Sequence, residues 1–298
     1  MKKMRLPIYI ALCVCVIGLI LGSFLDLSIS QSIADTSNVF GLIISVISPT
    51  LGFCGLAFAG GGFFAFALKQ EWKVWIKVLF YVLAVAALGI ATYFAGKEYF
   101  GPNGFNNDDL KIVGYIIAFV CALGAEVGGY FVFKDCKNKT AWVSLLIIYV
   151  VLLLVLVGGI TILKAIMHRP RYRLVSQGVV PFHAWWERCS DYDTYITSLG
   201  ESFKEEFKSF PSGHTGEAAI LLVVSVFAPL AHDKLEKIQL PLFIGSGLFV
   251  LLVAFSRILV GAHYLSDVSF GALLTMLFTL LGNEIAINIR SLHKEEMA

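Results

Sequence analysis

Three short polar stretches, each at the edge of an apolar run, carry the residue types that could do chemistry. The middle one reads Phe210-Pro211-Ser212-Gly213-His214-Thr215. Pro211 sets a turn, the Ser212 hydroxyl can cap a helix, and Gly213 lets backbone come close to a partner. A helix is therefore expected to start here and to run through Ala218 to Leu230. Its free N–H groups favour an anion, and His214 lies in the first turn. The last stretch reads Ser256-Arg257, five residues, His263, three residues, Asp267. Positions four apart share a helix face. Asp267 is thus expected to accept from one ring nitrogen of His263 and leave the other as a lone-pair nucleophile. Arg257 adds a planar fork suited to phosphate oxygens. The first stretch runs from Lys164 to Tyr172, with Lys164 and Arg171 seven apart, about two helical turns. Together these supply three cations, a helix start, two histidines and an orienting carboxylate. That set suits attack on a phosphate monoester or pyrophosphate: a nucleophile, a leaving-group acid, and clamps for the equatorial oxygens.

Taken alone, His263 and Asp267 could equally be a structural hydrogen-bonded pair or two metal ligands. The surrounding spacing favours catalysis. The three stretches resemble the motifs of the type 2 phosphatidic acid phosphatase superfamily, which also contains vanadium haloperoxidases and glucose-6-phosphatase. That family has Lys, six residues, Arg-Pro; then Pro-Ser-Gly-His; then Ser-Arg, five residues, His, three residues, Asp. The second and third match at Pro211 to His214 and at Ser256, Arg257, His263 and Asp267. The first matches at Lys164 and Arg171, with Tyr172 where the family has Pro; the alternative register on Arg169-Pro170 places Ile162 where the family has Lys. The register with Lys164 and Arg171 is preferred, because charge carries the chemistry and Pro170 can still break the helix. The resemblance covers residues 141–287. It implies that Lys164, Arg171, Arg257, Ser212 and Gly213 bind phosphate, that His263 attacks phosphorus and that His214 protonates the leaving oxygen. It also implies that no metal or other cofactor is needed. Three cations would repel a metal, and the remaining carboxylates do not cluster at ligand spacing.

The elements that must position these residues follow from composition. The chain has 298 residues, 58% of them hydrophobic and 15% charged, where a soluble domain is about half apolar and about a quarter charged. An all-α polytopic membrane protein is expected, with eight spans at 8–25, 50–68, 75–95, 110–133, 141–163, 214–231, 239–260 and 264–286, each near the length that crosses a bilayer. Residues 38–48, ahead of Pro49, read as a short re-entrant or interfacial piece. Residues 1–140 are taken as accessory helices and 141–298 as the phosphatase core. With the N-terminus inside, 13 of the 23 Lys and Arg fall on cytoplasmic segments. Once Lys164, Arg169, Arg171 and Arg257 are set aside, six fall outside. By the positive-inside rule both termini are cytoplasmic and all three motifs meet at the extracytoplasmic face. The start, Met1 to Arg5 followed by Leu6 to Phe24, reads as a retained span rather than a signal peptide.

The polar loop 172–210 reads either as a lid over the headgroup or as a solvated connector, with Trp185-Trp186 as an anchor at headgroup depth. His168 reads as interfacial and structural. Glu217, on the face of His214, either tunes the acid or faces water. Glu126 and Gly124, Gly128 and Gly129 read as close helix packing, as does Gly60-Gly61-Gly62. The six cysteines form no disulfide framework, and no basic tract suggests nucleic acid. The expected partners are membrane lipids and a lipid phosphate of phosphatidic acid, phosphatidylglycerol phosphate or undecaprenyl pyrophosphate type. The expected location is a bacterial plasma membrane. The alternative is a transporter or lipid scaffold that inherited the fold.

Overall fold

A backbone in lipid must satisfy its own polar groups, and for long apolar runs the helix does so within one segment. The computed structural model describes residues 2–69, 73–100, 111–136, 139–231 and 233–295, and among them there are helices and no strand. Helix α1 is Arg5–Ile33, α2 is Val39–Lys69, α3 is Val74–Gly96 and α4 is Lys111–Phe133. Then come α5 (Lys139–Leu153), a π-helical segment (Leu154–Ile160) and α6 (Thr161–Met167). The loop carries α7 (Tyr172–Val175) and α8 (Tyr192–Leu199). Helices α9 (Gly213–Ala218), α10 (Ile220–Phe227), α11 (Asp233–Glu236), α12 (Gln239–Leu259) and α13 (Leu265–Glu295) complete the chain.

Among the described residues seven helical stretches are long and apolar enough to cross a membrane: Lys2–Ile33, Val39–Lys69, Val74–Tyr99, Lys111–Phe133, Gly213–Ala231, Gln239–Leu259 and Leu265–Asn288. The chain is an integral membrane protein by these helices. The span expected at 141–163 falls on α5, the π segment and α6, which follow one another without a gap. Helix α1 has 29 residues, about 43 Å at 1.5 Å per residue, and so outruns a hydrocarbon core of about 30 Å.

One expectation is corrected here. Residues 38–48 are not a separate re-entrant piece, because α2 runs unbroken from Val39 through Pro49. A proline removes one backbone bond and crowds the carbonyl four back, yet the helix continues through it, and small residues bring this part of α2 into the bundle. A Cβ on Gly41 would lie 2.5 Å from Val260, and one on Gly52 would lie 2.5 Å from the Glu217 carbonyl. Further along, Gly60, Gly61 and Gly62 meet three different helices. Their added Cβ atoms would touch Ala87 of α3, the Glu126 carbonyl of α4 and Leu145 of α5. Of the glycines near Glu126, Gly129 makes a close approach, to the Phe58 carbonyl, whereas Gly124 and Gly128 face open space. Helix α2 is therefore the central element, with α3 and α4 packed on one side and the C-terminal half on the other. Helix α1 lies along α13, tied at one end by the ion pair of Arg5 with Glu284.

The loop folds around a small apolar cluster of its own: Leu174, Val180, Cys189, Ile196 and Phe207. It is held by backbone bonds from Arg171 N to Glu206 O (2.8 Å), Ser209 N to Arg169 O (3.0 Å) and Cys189 N to Met167 O (3.0 Å). The two tryptophans meet edge-on, ring centroids 5.5 Å apart, but face different surroundings. Trp186 is exposed, while Trp185 turns inward, donates to Ser23 Oγ at 2.9 Å and stacks on Phe210.

Candidate active site

Helix α6 ends at Met167 because His168 adopts a left-handed conformation, φ 47°, with its N–H bonded to the Lys164 carbonyl. The chain then runs extended through Arg169-Pro170-Arg171, so the two arginines separate. Arg171 turns with Lys164 to the wall of a cavity of about 600 Å³ that also holds Gly213, His214, Glu98 and Glu217. Arg169 turns the other way and is fully buried. It donates to Asp267 Oδ1 (2.5 Å), Ser266 Oγ (2.8 Å), Asp26 Oδ2 (2.9 Å) and the His183 carbonyl (2.9 Å). The Tyr264 ring covers it at 4.2 Å. Arg169 is thus the hub of a buried charge cluster, and Arg171 is the guanidinium that faces the cavity. Tyr172, which stands in the place of the motif Pro, opens α7 and packs edge-on to Tyr264.

Ser212 performs the expected cap: its Oγ accepts from the Thr215 N–H at 3.4 Å, and its own N–H donates to the Asp267 carbonyl at 3.0 Å. Gly271 of α13 lets this turn come close, since a Cβ there would sit 2.4 Å from the Ser212 carbonyl. His214 is 5% exposed, and its Nε2 has no hydrogen-bond partner among the described residues. Arg257, His263, Lys164 and Arg171 all lie near enough to act on it electrostatically.

After α12, Gly261 takes a positive φ of 64°, a conformation that costs a residue without a Cβ little. The turn brings the Ala262 and His263 N–H groups back onto the Arg257 carbonyl, at 3.1 and 3.2 Å. His263 and Arg257 are 1% and 0% exposed and lie behind the cavity wall. Arg257 donates to Ser45 Oγ of α2.

The His263–Asp267 relation differs in detail from the expected one. His263 precedes α13, so helix spacing does not set their geometry. Nδ1 is 2.6 Å from the Ser209 carbonyl and 3.7 Å from Asp267 Oδ2. A carbonyl oxygen only accepts, so Nδ1 carries the proton and Nε2 holds the lone pair. Nε2 has no partner among the described residues. Asp267 is engaged by Arg169, by Ser209 Oγ (2.5 Å) and by the Tyr264 N–H (2.8 Å). It therefore fixes the segments that hold the ring more than the ring itself. Burial depresses the His263 pKa, the Asp267 contact offsets this in part, and Arg171, Arg257 and Lys164 lower it further, to about 3. The ring is neutral across the physiological range. For Arg171, burial and Arg173 bring its pKa down to about 10, against the pull of Glu206 and Glu205; it stays charged at neutral pH.

Residues 143–289 match the model of the PAP2 superfamily. The C-terminal half of the chain belongs to that superfamily. No curated protein and no solved structure gives a match. Membership indicates a phosphatase-type activity on phosphate esters. Every residue named at the PAP2 motifs lies in this one region, but three neighbours come from elsewhere. Asp26 of α1 accepts from Arg169 and from Ser266 N (2.9 Å). Ser45 of α2 holds Arg257, and Glu98, beyond the end of α3, has a carboxylate oxygen 3.6 Å from His214 Nε2. Ser209 supplies the carbonyl that sets the His263 tautomer. Asp26, Ser45 and Glu98 precede the matched PAP2 region, so the N-terminal helices complete the site. His168 stacks on Tyr192 at 3.8 Å and lines the cavity. Among the described residues no group of three His, Cys, Asp or Glu side chains gathers where a metal could bind.

Proposed function

We propose that this protein hydrolyses lipid phosphate monoesters or pyrophosphates at the extracytoplasmic face of a bacterial plasma membrane, through a phosphohistidine and without a metal. The observation that carries the reading is the His263 ring: buried, neutral, its Nδ1–H donated to a carbonyl and its Nε2 lone pair without a partner among the described residues, near Lys164 and Arg171 of the first motif and Arg257 of the third. A neutral imidazole with one nitrogen committed and the other open is a nucleophile ready to attack. Lys164, Arg171 and Arg257, with Ser212 and the Gly213 N–H, would hold the phosphoryl oxygens and oppose the charge that builds on them.

The Nε2 lone pair forms a bond to phosphorus as the bond to the leaving oxygen breaks, and His214 gives that oxygen its proton. The product is a phosphohistidine with its charge spread over the ring. His214, now neutral, takes a proton from water as the water oxygen attacks phosphorus, and Nε2 leaves with its electron pair restored. Asp267 steadies the charged ring from 3.7 Å. The positive-inside distribution supports the extracytoplasmic placement, with both termini cytoplasmic. The lipid phosphate is of phosphatidic acid, phosphatidylglycerol phosphate or undecaprenyl pyrophosphate type.

Phosphate release by purified protein tests the reading. His263→Ala is expected to lose nearly all turnover yet still bind substrate, and chelator is expected to leave the wild-type rate unchanged. Substantial turnover by the variant would refute the nucleophile, and inactivation by chelator would refute the metal-independent mechanism.

A further inference from the structure

Glu98 is the acidic side chain that the N-terminal helices place against the leaving-group acid. It lies in a short 3-10 turn, Lys97–Tyr99, directly after α3. Helix α3 packs on α2 and α4, and the turn is anchored to α2 by a hydrogen bond between the Tyr99 and Thr50 hydroxyls at 3.2 Å. Glu98 Oε2 is 3.6 Å from His214 Nε2, and the two side chains are 17% and 7% exposed. Glu98 Oε1 is 3.8 Å from Lys97 Nζ. Both residues line the same cavity.

The charges around His214 give this carboxylate a purpose. Arg257, Lys164 and Arg171 press on the ring from the motif segments, and His263 lies beside them. A protonated ring in that company needs a counter-charge. Glu217 is on the same helix, but its carboxylate reaches toward the space above Gly213 where Lys164 Nζ also lies. Glu98 is the carboxylate that faces Nε2. The 3.6 Å separation exceeds a hydrogen bond, so the proton on Nε2 is not committed to Glu98 and remains available to a leaving oxygen that approaches from the cavity.

We propose that Glu98, contributed from outside the PAP2 region, is a positioning residue that aims the His214 ring at the leaving oxygen and supplies the counter-charge when the ring carries its proton. This rests on His214 being the leaving-group acid of the function proposed above. During the first step the proton passes from His214 Nε2 to the oxygen that departs from phosphorus; Glu98 neither gains nor loses a proton, and stabilises the charged ring before the transfer.

The test uses leaving groups of different basicity. An alkoxide needs a proton as it departs, whereas para-nitrophenolate departs without one. In full-length protein in detergent, Glu98→Gln is expected to lower kcat/KM for a long-chain alkyl phosphate by about ten- to a hundredfold, a share of what general acid catalysis supplies. The same variant is expected to change kcat/KM for para-nitrophenyl phosphate by less than about threefold. Glu98→Asp is expected to recover part of the alkyl rate. Tyr99→Phe, which frees the turn from Thr50 and keeps the carboxylate, is expected to leave the ratio of the two rates unchanged. Equal losses with both esters, or the same change in ratio for Tyr99→Phe, would overturn the proposal in favour of a structural role. A gain with both esters would also overturn it, since the carboxylate would then merely repel phosphate. If wild-type protein releases phosphate from neither ester, the phosphatase reading itself fails, and the proposal with it.

Discussion

Arg169→Met tests whether the site is held by one buried charge cluster. The wild-type guanidinium stands between Asp26 and Asp267, which are 2% and 0% exposed. Removing it leaves two buried carboxylates with no cation between them, and breaking a buried ion pair costs about 3–5 kcal/mol. Arg169 also forfeits its bonds to Ser266 and the His183 carbonyl, so the upper end applies. At about 2 °C per kcal/mol for a chain of this size, melting should fall by roughly 10 °C. Asp26→Asn is milder. Arg169 keeps Asp267, and the loss is one charge-assisted contact, about 2 kcal/mol. The double variant is the decisive arm. Once Arg169 is gone, neutralising Asp26 relieves repulsion between carboxylates that had bonded the same guanidinium. Two unit charges about 5 Å apart repel by roughly 3 kcal/mol at an effective dielectric constant of 20. The double variant should therefore be less destabilised than Arg169→Met alone, and less than the sum of the singles by at least about 3 kcal/mol. Tryptophan fluorescence during thermal unfolding in detergent reads all three, and phosphate release shows whether Asp267 still serves His263. Additive losses, or an Arg169→Met protein that melts with wild type, would refute the reasoning.

Further outcomes follow from local geometry. Gly61→Ala would set a Cβ 1.7 Å from the Glu126 carbonyl and push α2 off α4, costing about 3 kcal/mol. Gly124→Ala, with open space around it, should not destabilise; the two melting curves settle the contrast. Ser45→Ala removes the hydroxyl that receives Arg257 and should lower kcat/KM about tenfold, with thermal stability nearly kept. In the loop, burial raises the Glu206 pKa, but Arg173 at 2.5 Å and Arg171 outweigh this and hold it below its ordinary 4.5. A depressed carboxylate stabilises fully above its unfolded value and loses that contribution as pH falls through the folded one. Protease cutting within 172–210 should therefore rise as pH drops below about 4.5 in wild type, and Glu206→Gln should flatten that dependence.

The bundle was legible because its apolar runs match the bilayer, and the motif residues because polar islands stand out at span ends. What stayed hidden are single residues with no pattern. Asp26 lay just past the predicted end of the first span at 25; once α1 is seen to continue to Ile33, it is an ionisable group within a span, a functional signal in itself. Glu98 stands beyond the span expected at 75–95, where a charged residue is ordinary and carries no signal. Ser209 acts through its carbonyl, which no residue type announces. The segment before Pro49 reads as a separate piece from sequence because a proline commonly ends a helix, whereas Gly41 and Gly52 nearby allow the close packing that accompanies an unbroken α2. Arg169 and Arg171, two apart, could not be assigned to cluster and cavity until the left-handed His168 and the extended chain after it sent them opposite ways.

The central claim is that His263 carries the phosphoryl group between the two steps. Acid-sparing quench of wild-type protein during turnover of a lipid phosphate, followed by peptide mass spectrometry, tests it most directly. The account predicts a phosphoryl group on His263 that is absent in His263→Ala. A phosphoryl group on any other residue, or turnover that persists in His263→Ala, would contradict it.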